Sequence, residues 1–487
     1  MSLKIFKKFS LSLLTVVFLF GHAGLSQASQ VASLEVPALM TLSEHLSLLA
    51  ENLLPGSSAK IALGLMAISM NPKLMDLDMT KPLKLYFYPA QGAGKSGTTW
   101  IIVVDKKGKK TPGMIEVGSY SLFCREIDKK LVLCQNKQFL NNLKTIPDYV
   151  DSESDLNISV YPADYLKNCK KQYLEIRNKF IRNLLVKLDG TDTSNLTAMK
   201  ILSLKLDYFE KVLKQIEKID CRFVISAKGI KLDGTIKPLK NSSLETFILQ
   251  QKNVPALPGI YKDHAFVMSS SFNITPEFRQ AVIGMNKELA IECAENDQDL
   301  KYLKFMDLIL KSWTGQMSYF MDAPESGAFS FMKLFTGSNT SPSADGYFPS
   351  HPEMKTDIPG MYRLTKYKLQ GKSLYQLFCK PENSDILFLN GKIDSSKAGE
   401  IFKAIPQQKL ETLKRKGVIA ALIFQPTKGK ESETPPEATY LYFLPENGLL
   451  KMEIEFCLGT IKASVPDELR PKKENKRQRI KLKFPKK

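Results

Sequence analysis

The 487 residues carry 69 Lys and Arg against 50 Asp and Glu, a formal charge of +19, but setting aside the tail Arg470 to Lys487 and three lysines near the amino terminus leaves 56 basic against 49 acidic residues. The body therefore lacks the broad positive face of a nucleic-acid-binding protein, and nucleic acid is not an expected partner. A hydrophobic share of 43 % excludes a disordered chain, and seven cysteines in this length exclude a disulfide-stapled miniature fold.

Lys4, Lys7 and Lys8 precede the apolar run LSLLTVVFLFG and then Ser26-Gln27-Ala28, the layout of a secretory signal peptide over residues 1–28. The run is shorter than the roughly 20 residues that a bilayer span needs. No later run is that long, so the mature chain is expected to lack a transmembrane segment and to be exported, periplasmic or extracellular and associated with a membrane surface. An exported protein has no routine access to ATP or nicotinamide pools, and no cofactor is expected.

The mature chain opens with Val36-Pro37-Ala38-Leu39, and Thr41 with Glu44 reads as a capping box ahead of a helix through EHLSLLAENLL. Another apolar stretch, AKIALGLMAISM, follows. VPAL recurs from Val254 to Leu257, and His45 and His264 each follow a copy within about ten residues. That recurrence predicts a domain boundary at 253/254 and equivalent histidines. LKLYFYP and TTWIIVVD read as strands. Between them Gly94-Lys95-Ser96 matches the core of a phosphate-binding loop, but Pro89 stands where its first glycine belongs and a strand follows where a helix is required. The segment is therefore a hairpin loop.

The strongest internal signal runs from Tyr120 to Pro147. Tyr120, Cys124 and Lys137 match Tyr375, Cys379 and Lys392 at a constant offset of 255 residues. Each copy predicts a β-hairpin, then a short helical segment stopped by Ile146-Pro147 or Ile405-Pro406. Cys124 and Cys134 are either partners across the hairpin or free thiols. Leu389 at the place matching Cys134 points to a buried thiol acting as a small hydrophobe.

LNISVYP (156–162) and VIAALIFQP (418–426) predict one further strand in each half. The first half then inserts two amphipathic helices over about 163–219, one with Leu166, Cys169, Tyr173, Ile176, Phe180 and Leu184 on its apolar side, the other with Leu202, Phe209, Val212, Leu213, Ile216 and Ile219. This helical hairpin is expected to cover a sheet face, with a partner surface as the alternative. Closing hairpins turn at Gly229 and Gly448, Thr275-Pro276 starts a helix pair in the second half, and residues 337–360 form a long Ser, Pro and Asp-rich loop.

The fold class expected is α+β: two diverged tandem copies, 29–253 and 254–466, each an antiparallel sheet with packed helices, followed by a basic tail at 467–487. No H-E-x-x-H, paired C-x-x-C or G-x-S-x-G occurs, so no catalytic, cofactor-binding or metal-binding residue is assigned. His45, His264 and His351 each read as ordinary hydrogen-bonded histidines. The expected function is a non-enzymatic binding or scaffold protein of the cell envelope. Its anionic-surface contacts are Arg470, Lys472, Lys473, Lys476, Arg477, Arg479, Lys481, Lys483, Lys486 and Lys487. Each cation held close to an anionic lipid surface contributes about 1 kcal/mol. The partner is an anionic lipid or an acidic envelope polymer. Alternatives are a carrier of a lipid or other apolar ligand, and a hydrolase using carboxylates near the 337–360 loop.

Overall fold

A computed structural model describes residues 23–24, 30–53, 58, 78, 80–90, 98–106, 111–117, 120–147, 153–185, 193–261, 264–293, 297–322, 329–336, 361–369, 372–379, 385–391, 400–401, 404–413, 415–425 and 438–458. The stretch AKIALGLMAISM, the Gly94-Lys95-Ser96 loop, His351, the 337–360 loop, the signal's basic and apolar parts and the tail lie outside them.

The first half runs β1 (Ala32–Val36), α1 (Leu39–Leu53), β2 (Leu83–Ala90), β3 (Thr98–Val104), β4 (Met114–Val117), β5 (Tyr120–Ile127), β6 (Lys130–Cys134), α2 (Lys137–Asn142) and β7 (Leu156–Val160). Three helices follow, α3 (Pro162–Asn168), α4 (Lys170–Leu185) and α5 (Thr193–Leu213), then β8 (Ile216–Ser226), β9 (Gly229–Pro238) and α6 (Ser243–Leu249). The second half runs β10 (Phe266–Ser270), α7 (Pro276–Cys293), α8 (Asp297–Ser312), β11 (Trp313–Asp322), β12 (Phe329–Thr336), β13 (Met361–Leu369), β14 (Lys372–Cys379), β15 (Ile386–Gly391), β16 (Ala420–Phe424), β17 (Thr439–Glu446) and β18 (Leu449–Cys457).

All of these strands join one antiparallel sheet. From one edge inward the order is β4-β5-β6-β3-β2-β1-β7-β8-β9, and from the other β13-β14-β15-β12-β11-β10-β16-β17-β18. Each half thus sets its strands in the same sequence. The halves meet where β9 pairs with β18, from Gly229 opposite Cys457 to Ile236 opposite Leu450. Gly229 permits that meeting: a Cβ there would stand 2.1 Å from the Phe456 carbonyl oxygen. The β17–β18 turn uses Asn447 and Gly448 at φ 51° and 79°, the left-handed pair that a two-residue hairpin requires.

Strand alternation explains the core. Ala32, Val36, Phe87, Leu156, Ile158 and Val160 face one way and pack with Tyr165 and Cys169 of the α3 region and with Leu39 and Leu42 of α1. Tyr86, Tyr88, Ile101, Val103, Val132 and Cys134 face the other way, under Phe139 and Leu140 of α2 and Ile146. In the second half Val267, Phe320, Phe331, Leu387, Leu389 and Ile423 are covered by Tyr261, Ile405 and Leu410. Ile146 and Ile405, the residues before the matched prolines, both seal a sheet face. Side chains of this size contribute about 1.5–3 kcal/mol each on burial.

Several expectations are corrected. Phe123 pairs with Cys134 and Cys124 with Leu133, so the two sulfurs lie on opposite faces of the hairpin and do not bond to each other. Across the second hairpin Cys379 pairs with Leu387, so the constant offset slips by one residue at the turn. Helix α1 begins at Leu39, which places Thr41 and Glu44 inside it rather than at its cap. Helix α5 stops at Leu213, and Ile216 and Ile219 belong to β8, where ladders on both sides outweigh helical spacing. The first VPAL spans the end of β1 and the start of α1, whereas the second precedes β10. His45 therefore sits in α1 and His264 ahead of β10, at inequivalent places. The Thr275 cap holds: Phe278 N donates to Thr275 Oγ1 at 3.0 Å.

Replacing Gly229 by Val sets a side chain against the β18 backbone and is expected to cost about 1–3 kcal/mol, the range for forced overpacking. Gly113, around which a Cβ meets nothing within 4 Å, is the control. Urea midpoints of Gly229→Val and Gly113→Ala check the difference.

Candidate functional site

The ten tail residues assigned to surface binding lie outside the described residues. The histidines can be placed. His45 Nδ1 donates to Asp155 Oδ1 at 2.7 Å, and Asp155 Oδ2 accepts from Ile225 N at 2.6 Å. One buried carboxylate thus ties α1 to β8. His264 Nδ1 donates to Asp322 Oδ2 at 2.7 Å, Nε2 faces Gln408 Oε1 at 3.1 Å, and Asp322 Oδ1 accepts from Ala265 N at 3.1 Å. The His264 ring stacks on Phe320 with centroids 3.6 Å apart. Both ring nitrogens of His264 are engaged, and the ring belongs to the core of the second half.

A gathering of polar and titratable groups among the described residues was not legible in the sequence. It lies on the first half of the sheet, on the face that carries Tyr86. Alternation puts Ser33 and Glu35 of β1, Lys84 and Tyr86 of β2, Ser159 of β7, and Lys218 and Asp220 of β8 on that side, with Tyr161 beside them. Glu35 pairs in register with Lys84 and with Asn157, and Ser159 pairs with Asp220. Tyr86 Oη donates to Glu35 Oε1 at 3.3 Å and Ser159 Oγ to Asp220 Oδ1 at 2.5 Å; Lys218 Nζ lies 2.8 Å from Asp220 Oδ1 and 5.7 Å from the Tyr161 ring centroid. Lys84 and Ser33 are buried despite their polarity. The signal that could have found the cluster is a strand-like alternation in which polar residues recur on one side of four separate segments, legible only once the pairing order is known.

Burial pushes the Glu35 carboxyl above its ordinary value, and the Lys84 ammonium only partly opposes this. Burial, and then the Glu35 charge, hold the Tyr86 hydroxyl protonated far above the usual phenol range. Burial pulls the Lys218 ammonium down, but its hydrogen bond to Asp220 and the Asp220 charge outweigh that and leave it raised. Two carboxylates, two ammonium groups and two phenols thus gather on one face, with hydrogen bonds that cross between strands at Tyr86–Glu35 and Ser159–Asp220. The chemistry is that of a fastener: the hydrogen bonds join β1 to β2 and β7 to β8. Among the described residues no group of three or more His, Cys, Asp or Glu is placed to hold a metal ion.

The described thiols are buried or half-buried. Cys134 and Cys169 are buried, and burial pushes the Cys124 thiol up to about 11, that of Cys169 to about 12 and that of Cys221 to about 11. These sulfurs stay protonated at neutral pH and are poor nucleophiles there.

Because the folded protein holds the Glu35 proton more tightly than the unfolded chain, stability from this group is full below about pH 4.5 and declines as pH rises through the raised folded value. Glu35→Gln keeps an acceptor for Tyr86 and removes that decline. Its urea midpoint is expected to equal the parent's at pH 4 and to exceed it at pH 7; a lower midpoint at pH 7 would show that the ionised carboxylate stabilises the fold. Iodoacetamide labelling of the native protein at pH 7 is expected to spare Cys124, Cys134, Cys169 and Cys221, all of which label after unfolding.

No protein family and no curated protein matches the chain. Among solved structures, one titled "Structure of crystal form I of TP0453" is similar over 45 % of this chain and 99 % of its own, at 11 % identity and a TM-score of 0.22, a likeness too slight to support an argument.

Proposed function

We propose that this chain is an exported binding or scaffold protein of the cell envelope, made of two diverged copies of one α+β unit, 29–253 and 254–466, with a basic tail at 467–487 that contacts an anionic surface. The observation that carries the reading is how the polar groups are employed. His45, His264, Glu35, Asp155, Asp220 and Asp322 each join one segment of the fold to another, and the described thiols are buried or half-buried. The chain leaves the sheet at its middle strand: Leu458 N donates to Lys228 O at 3.0 Å, beside the β8–β9 turn, and the ten-cation segment follows within a dozen residues. Support for duplication comes from the common strand order outward from the β9–β18 junction and from the matched YxLFC hairpins at β5–β6 and β14–β15. Among the described residues no helix is long and apolar enough to cross a membrane, so the reading rests on surface contact.

Sedimentation of the mature protein with phosphatidylglycerol vesicles tests it. Binding is expected at low salt, to weaken as salt screens the charges, and to fall at least tenfold when 470–487 is removed, since each cation near the surface contributes about 1 kcal/mol. Equal binding with and without the tail would remove the tail from the model of attachment.

A further inference from the structure

The helical insertion resolves differently from the sequence expectation, and the difference points outward. Helices α4 and α5 hold each other through Arg177, which lies 2.7 Å from Asp207 and donates to Ser203 O at 3.0 Å. On a neighbouring side of α5, Tyr208 meets α7 of the second half: its hydroxyl lies 3.8 Å from where a Cβ on Gly284 would be, and it hydrogen-bonds Glu288. With Ser203 and Asp207 on α4 and Tyr208 on α7, helical geometry leaves a third side. Lys205, Phe209 and Val212, at i, i+4 and i+7, lie on it. Phe209 is 55 % and Val212 42 % exposed, flanked by half-buried Leu202, Leu206 and Leu213. The first of the two expected apolar faces covers the sheet through Cys169 and Tyr173, whereas on the second Phe209 and Val212 are open to solvent.

Its surroundings carry an excess of positive charge. The described residues of 162–214 hold ten Lys or Arg and four Asp or Glu, and two of those four are taken by the Arg177–Asp207 and Glu210–Lys214 pairs. Lys170, Lys171, Lys179, Arg182 and Lys205 are exposed.

We infer that the α4–α5 arm is a second membrane-binding element, which seats Phe209 and Val212 among the acyl chains of an anionic phospholipid bilayer while its lysines and arginine lie against the headgroups. An amphipathic helix in a bilayer interface has this composition: aromatic and aliphatic residues on one side, cations around them, and no need to span. A bilayer also meets both demands at once, since it offers apolar depth beneath a negative plane. The inference deepens the surface-attachment reading and rests on it, but it assigns affinity to folded residues that the tail does not include.

The experiment compares the mature chain, the chain lacking 470–487, the Phe209→Ser/Val212→Ser variant, and the variant lacking the tail, on phosphatidylglycerol and phosphatidylcholine vesicles. Both substituted residues are substantially exposed, so circular dichroism and melting are expected to match the parent. The tail-less protein is expected to keep salt-sensitive binding to phosphatidylglycerol, and the double substitution to weaken that residual binding by about tenfold or more. In Phe209→Trp, brominated lipid is expected to quench the added emission above the background of Trp100 and Trp313. If removing the tail abolishes binding, or brominated lipid leaves residue 209 unquenched, the arm inference is overturned and the tail reading stands. Where the arm substitutions abolish binding and tail removal does not, the arm inference stands and the tail reading falls. Absence of binding by the intact chain overturns both.

Discussion

Backbone pairing of β9 with β18 is the constraint on which the molecule depends. Without it each half would end in an unpaired edge along a strand of nine or ten residues, open to any other chain that could complete it. With it the two sheets become one. The approach is close enough that side chains at the crossing are limited: Gly229 faces the Phe456 carbonyl, and a Cβ on Gly234 would stand 2.8 Å from the Met452 side chain. Register matters as much as contact, because a slip of one residue would turn every β9 side chain to the opposite face. Leu232, buried and opposite Ile454, would then exchange places with a charged neighbour.

A sheet of this extent needs cross-ties, and its polar residues supply them. Asp155 receives the His45 imidazole from α1 and the Ile225 amide from β8 with its two oxygens. Asp322 does the same for the His264 ring and the Ala265 amide. Each carboxylate accepts two hydrogen bonds, so the loss of either would leave a desolvated donor behind, a larger penalty than the bond itself is worth. The buried polar groups are therefore cohesive.

How much of this was legible follows from the range of the interactions. The hairpins around Asp128 and Gly448, the Thr275 cap and the seal made by the isoleucines before Pro147 and Pro406 are local, and their turn and cap residues announce them. Pairings between distant segments are not local. The VPAL recurrence suggested a correspondence between His45 and His264 that the strand order does not honour, because four residues of similar sequence fix no place in a sheet. The Glu35 cluster was invisible for the same reason: Ser33 meets Ser159 across 126 residues of chain, and no spacing rule connects them.

The helical arm shows the other limit. Its periodicity correctly located an apolar side on α5, since Leu202, Phe209, Val212 and Leu213 do share one flank. Periodicity says which residues keep company, but it cannot say what they keep company with. The apolar spacing was read past Leu213 into Ile216 and Ile219, which made the helix longer and more sheet-bound than it is; those two residues in fact begin β8, and the ladders with β7 and β9 claim them. What remains is a shorter helix, tied on two sides by Arg177 and Tyr208, whose third side exposes Phe209 and Val212 beside half-buried Leu202, Leu206 and Leu213. The cost of leaving Phe209 and Val212 in water is tolerable in a fold with cores on both sheet faces. The third side lies on a helix pair rich in exposed cations, the same pair that straps the two halves together.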